Sequence, residues 1–132
     1  MIFVDTNYFL RFFLQDNSPQ YQEAKKLFLE GAKGKVELIS STTVFFGIHF
    51  VLKSFYGKDK QLLVEILSNA LNLSVIFPEK QLLQACLKLY EKSAVGLEDC
   101  YNIIFADMLK VKDFKTFDIK INKEFEKIVR IT

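Results

Sequence analysis

Three aspartates stand where the chain changes its backbone state. Asp5 follows the apolar run Ile2-Phe3-Val4, Asp118 follows the run 114–117, and Asp99 comes just after a break at Gly96. In open α/β sheets, ligands collect outside the carboxyl ends of the strands. Asp5 and Asp118 therefore share one sheet edge if their strands run parallel, and lie close together if those strands are neighbours. Each alone is also a good helix N-cap, because aspartate accepts hydrogen bonds from the unpaired amides of a first turn. The three together point elsewhere. Carboxylates held within ~5 Å repel by roughly 3 kcal/mol per pair at an effective dielectric near 20. A divalent cation removes that repulsion, and hard oxygen ligands suit Mg²⁺ or Mn²⁺ better than zinc. If the three converge they bind such a cation, which makes Asp5, Asp99 and Asp118 candidate metal ligands.

The elements that must position them follow from the pattern of apolar residues. After the first strand, Tyr8, Phe9, Leu10, Phe12, Phe13 and Leu14 form an amphipathic segment. Ser18 as N-cap and Pro19 at the first helical position start a helix to about Glu30, ended by Gly31 and Gly34. Residues 36–39 read as a second strand, with Ser40, Ser41 and Thr42 offering caps for a helix over 43–55. A helix from Asp59 to about 71, a third strand over 73–77 and a helix from Pro78-Glu79 to about 92 follow. Residues 99–111 are expected to be helical and 114–117 a fourth strand. A short helix over 119–126 and a fifth strand over 127–131 complete the pattern. Strands alternating with helices, and apolar without clean alternation, imply a parallel sheet buried on both faces. The expected fold class is α/β: a three-layer α/β/α sandwich with a mostly parallel four- or five-stranded sheet, in a single domain spanning 1–132.

Composition narrows the function classes. A chain of 132 residues fits one core. Half of it is hydrophobic, with fourteen Phe, which excludes disorder. The net charge of +2 neither requires nor excludes nucleic acid. The lysine groups (Lys25, Lys26, Lys33, Lys35; Lys53, Lys58, Lys60; Lys110, Lys112, Lys115) read as solvated helix faces. Cys86 and Cys100 lack the spacing of a metal clip or redox pair, and the lone His49 supports neither a zinc site nor a Ser-His-Asp system. Met1 leads straight into the first strand without a leader pattern, and no stretch approaches the ~18 apolar residues of a membrane span. A cytoplasmic location and no membrane association are the expectations.

Ile2-Phe3-Val4-Asp5-Thr6-Asn7 resembles the opening of PIN domains, a short strand ending in an Asp-Thr-Asn or similar tripeptide. Gly96-Leu97-Glu98-Asp99 with Ala106 resembles their later acidic helix. Lys115-Thr116-Phe117-Asp118, followed by Phe125 and Ile128, resembles their last acidic strand end. The resemblance covers essentially the whole chain and is closest to VapC-like toxins. It implies an endoribonuclease whose acidic pocket binds Mg²⁺ or Mn²⁺ through Asp5, Asp99 and Asp118, with Asn7 and Thr116 orienting ligands or waters. It also implies RNA as substrate, a homodimer, and inhibition by a small antitoxin protein. The segment 44–56 and the aliphatic residues Leu62, Leu63, Ile66 and Leu67 are candidate interface residues, set against plain core packing.

One departure stands out. PIN nucleases usually carry a second acid, commonly Glu, in the helix after strand two. Aligning Val44-Phe45-Phe46-Gly47-Ile48-His49 with that helix puts Gly47 in its place. His49, two positions on and about 200° around the helix, points elsewhere. Glycine inside a helix costs about 1 kcal/mol relative to alanine. It therefore signals either a weakened site or space made for another group. The alternative function is a catalytically impaired module that binds RNA or protein. A phosphatase or response-regulator-like domain would want paired acids early in the chain. A nucleotide-binding domain would want a Gly-rich loop after strand one. Neither feature is present.

Overall fold

The computed structural model describes residues 1–131. The chain divides into two compact units, Met1–Lys80 and Gln81–Thr132.

The first unit carries the sheet. Strands β1 (Ile2–Phe3), β2 (Leu38–Ile39) and β3 (Val75–Ile76) pair in parallel in the order β1-β2-β3. Ile2 lies opposite Leu38, which lies opposite Val75. Helices α1 (Thr6–Leu14) and α2 (Ser18–Ala32) connect β1 to β2; α3 (Thr42–Ser54) and α4 (Lys60–Asn72) connect β2 to β3. Parallel crossovers are almost always right-handed, so two that step the same way place their helices on the same face. The packing of α1 against both α2 and α3 agrees with this. Its interior is aromatic: Phe9 meets Phe28 at 5.3 Å and Phe77 at 5.9 Å, and Phe12 meets Phe28 at 5.0 Å.

Local chemistry sets the helix ends. Asn17, one residue before the expected Ser18, caps α2 by accepting from the Gln20 amide at 3.1 Å. Ser41 caps α3 through Val44 N–H at 3.2 Å, and Asp59 caps α4 through Leu62 N–H at 2.9 Å. Gly31 does not end α2 but lies inside it. A Cβ there would stand 2.7 Å from Leu38 Cδ1 and 3.2 Å from the Ser74 carbonyl, so the helix approaches the sheet closely only because the side chain is absent.

The second unit is helical: α5 (Lys80–Lys92), α6 (Leu97–Met108) and α7 (Ile119–Ile131). Leu83, Cys86, Leu97, Cys100 and Ile103 are fully buried. Two sequence expectations are corrected here. Residues 114–117 form no strand, although they are rich in β-formers. The Thr116 hydroxyl accepts from the Asp118 amide at 3.1 Å, its carbonyl accepts from Asn122 Nδ2 at 3.3 Å, and the Phe114 ring packs on Phe125 at 5.2 Å. Those groups serve the start of α7 instead of a β-ladder. Nor do residues 127–131 form a fifth strand. They continue α7, whose Ile121 and Phe125 are buried at helical spacing with Ile128 half-buried behind them. The fold class is a helix-rich α/β with three parallel strands, fewer than the four or five expected.

Candidate functional site

At the carboxyl edge of the sheet, one buried serine ties the three strands together. The Ser40 hydroxyl donates to the Val4 carbonyl at 2.8 Å, just past β1, and its amide donates to the Ile76 carbonyl at 2.9 Å, in β3. Val4 N–H in turn donates to Ile39 at 2.9 Å. This lattice fixes where Asp5 leaves β1. Asp5 has extended backbone and caps α1, its Oδ1 accepting from the Thr6 amide at 2.7 Å. Its other oxygen makes no hydrogen bond among the described residues and its side chain is exposed. Further along the same edge, the Thr42 hydroxyl donates to Glu79 Oε1 at 2.6 Å. Ser40, Thr42 and Glu79 were not picked out as site residues from sequence. Their only signal was that hydroxyl and carboxyl residues directly follow strands two and three.

Gly47 faces the Asp5 turn. A Cβ at Gly47 would meet Thr6 Oγ1 at 3.0 Å and Thr6 Cγ2 at 3.5 Å. The space left by the missing side chain is therefore filled by Thr6, the residue after the candidate ligand. Any side chain at position 47 must displace the threonine by a few tenths of an ångström.

Asn7, the second residue of α1, is exposed and lines a small cavity with Tyr8, Arg11, Gln20 and Glu23. Burial first, then the neighbouring Glu23 carboxylate, hold the Tyr8 phenol above its ordinary value.

In the second unit, Asp99 is the third residue of α6. The N-cap, Gly96, has no side chain, and a Cβ there would lie 3.5 Å from Asp99 Oδ2. The carboxylate thus folds back over the first turn, where the helix dipole favours a negative charge. Asp118 precedes α7 and caps it, Oδ1 accepting from Lys120 N–H at 2.9 Å and Ile121 N–H at 3.2 Å. Thr116 is spent on holding the Asp118 amide, which makes it a residue that positions Asp118. Cys86 and Cys100 are buried and do not form a disulfide with each other; burial first, then the nearby Cys100 and Glu98, push the Cys86 thiol up to about 12. Such a thiol is inert at neutral pH.

All three candidate aspartates stand at helix N-termini, and their hard oxygen chemistry suits Mg²⁺ or Mn²⁺. Yet no group of three or more His, Cys, Asp or Glu among the described residues is arranged to hold a metal ion. The structure thus brings Asp5 together with Thr6 and Gly47, and Thr116 with Asp118. No helix among the described residues is long and apolar enough to cross a membrane.

No curated protein and no solved structure gives a match to the chain. A family model does match, the one described as PIN domain, over residues 2–126.

Proposed function

This chain belongs to the PIN-domain family, and from that premise we propose that it is a metal-dependent endoribonuclease, the toxin of a VapC-like toxin–antitoxin pair. PIN domains are typically nucleases and generally depend on divalent metals. The observation that carries the reading to this chain is Asp5: an exposed carboxylate at the carboxyl end of β1, pinned through one oxygen to the Thr6 amide, with the other left for a ligand. Asp99 and Asp118 complete the ligand set in this reading, each at a helix start. An Mg²⁺ or Mn²⁺ ion held by Asp5, Asp99 and Asp118 would supply Lewis-acid chemistry, lowering the pKa of water and offsetting charge on the phosphate. The chain's own part is to hold the carboxylates in place through the Ser40 lattice and the two caps, and to orient ligands through Asn7. Thr116 acts by fixing Asp118.

The partners proposed are RNA as substrate, a second copy of the chain and a small antitoxin protein, in the cytoplasm. For the second copy, Phe50 and Phe55 offer a surface: they are 58% and 73% exposed, with their rings 6.1 Å apart. Leu63 and Leu67 are core residues and are no longer interface candidates.

A second reading, a PIN module that binds RNA or protein without cutting, is favoured by one observation. The place of the usual second acid is Gly47, and Thr6 occupies the space. Digestion of single-stranded RNA with and without Mn²⁺, by wild type and Asp5→Asn, separates the two. The nuclease reading expects Mn²⁺-dependent cleavage that is lost in Asp5→Asn. Chelator-insensitive RNA binding without cleavage would establish the binding module instead.

A further inference from the structure

The cavity beside the Asp5 turn has a chemistry of its own. It lies between one face of α1, presenting Asn7, Tyr8 and Arg11, and one face of α2, presenting Gln20 and Glu23. Those spacings, i to i+3 or i+4, put each set on one side of its helix. Its volume of about 140 Å³ is well below the roughly 300 Å³ at which pockets begin to take drug-sized molecules. It suits a single ring system.

The charged groups around it are of opposite character, and one of them is fixed. Arg11 is held by Asp16, Nη1 to Oδ1 at 2.9 Å, and by Tyr56, to whose hydroxyl Nη2 donates at 3.4 Å. Tyr56 donates in turn to Asp16 at 3.1 Å. A guanidinium has five N–H donors, so these two contacts leave three of them. On the other wall, the exposed Glu23 carboxylate presents acceptor lone pairs for a donor. Tyr8 adds an aromatic surface, and Asn7 and Gln20 add amides that both donate and accept.

We propose that this cavity holds one unpaired guanine base of an RNA strand whose backbone passes Asp5. The proposal rests on the ribonuclease reading for its substrate class. Guanine alone among the four bases offers two adjacent acceptors, O6 and N7, for a guanidinium, together with two adjacent donors, N1–H and the 2-amino group, for a carboxylate. Sequence-specific RNA recognition works on such splayed single-stranded bases, set against aromatic rings and hydrogen-bonded along their edges. The cavity is also in the right place. Asn7 and Arg11 lie two and six residues past Asp5, roughly 3 and 9 Å along the α1 axis. A strand anchored at Asp5 passes this pocket, and the base held there sets which phosphate is presented.

The test is a binding measurement that does not depend on cleavage. Guanosine, adenosine, cytidine and uridine 5′-monophosphates are titrated into wild type, Glu23→Gln and Asp5→Asn, followed by amide NMR shifts. Wild type is expected to prefer the guanosine nucleotide by about tenfold, the scale of one good bidentate contact. Asp5→Asn keeps that preference, and Glu23→Gln loses it while retaining the wild-type spectrum elsewhere. Equal binding of all four, no binding, or a preference that survives Glu23→Gln overturns the proposal. Guanosine selectivity in a protein that cuts no RNA would defeat the nuclease reading and leave the pocket standing.

Discussion

Asp5 and Asp118 each do two jobs with two oxygens, and the jobs are separable. One oxygen caps a helix; the other is the proposed cation ligand. Asparagine caps as well as aspartate but carries no charge. Asp118→Ala should therefore destabilise the protein by about 1 kcal/mol, whereas Asp118→Asn should leave stability within a few tenths. Both should weaken Mn²⁺ binding. Urea titrations alongside metal titrations check this, and equal stability losses for both substitutions would contradict the capping role. The capping roles of Asp5 and Asp118 were legible because carboxylates at helix starts follow a positional rule, although the strand expected before Asp118 is absent. Gly47 was legible only as a departure from the family pattern. That Thr6 fills the space depends on how α3 packs against the first turn of α1, which no spacing reveals. The two should be coupled. Gly47→Ala gains helix propensity of about 1 kcal/mol only where Thr6 can move away. A double-mutant cycle should show that gain in a Thr6→Ala background and a smaller one, or a loss, in wild type.

Among the elements, the first three strands and the helices α2 to α6 were readable, and the carboxyl edge of the sheet was not. Ser40 looked like one of several possible caps, yet it donates from a buried position to Val4 and holds β1 against β2. Ser40→Ala should cost about 1–2 kcal/mol by depriving a buried carbonyl of its donor, measured as a lower urea midpoint with an unchanged slope. An unchanged midpoint would mean the contact is dispensable. The run 114–117 shows why the fourth strand was misread. Its side chains have strand propensity, but β-propensity is weak against context. Thr116 and Phe114 are committed to α7 by hydrogen bonds and ring packing that a local pattern cannot anticipate. Residues 127–131 were misread for the complementary reason. Ile128 belongs to a helix stripe that began at Ile121 and Phe125.

For the whole molecule, a chain of this size is expected to unfold as one domain, and that remains a proposal. Heating should give coincident transitions by far-ultraviolet dichroism and tyrosine fluorescence. Two separated transitions would mean that the two units fold independently. The buried Cys86 sets an alkaline limit. Its thiol ionises near 9 in an unfolded chain and at about 12 in the folded one. The folded state thus binds the proton more tightly, and its contribution is complete below pH 9 and lost as pH rises towards 12. Cys86→Ala should flatten the fall in stability over that interval, and an unchanged slope would assign the fall to other groups.

The proposed nuclease stands on a divalent cation held by three carboxylates from distant parts of the chain. Electron paramagnetic resonance of free Mn²⁺, titrated with wild type and with Asp5→Asn, Asp99→Asn and Asp118→Asn, reads that directly. Saturable uptake by the wild type, weakened at least about tenfold in each variant, is the predicted result, as losing a charged hard ligand demands. No uptake, or uptake indifferent to all three substitutions, would contradict it.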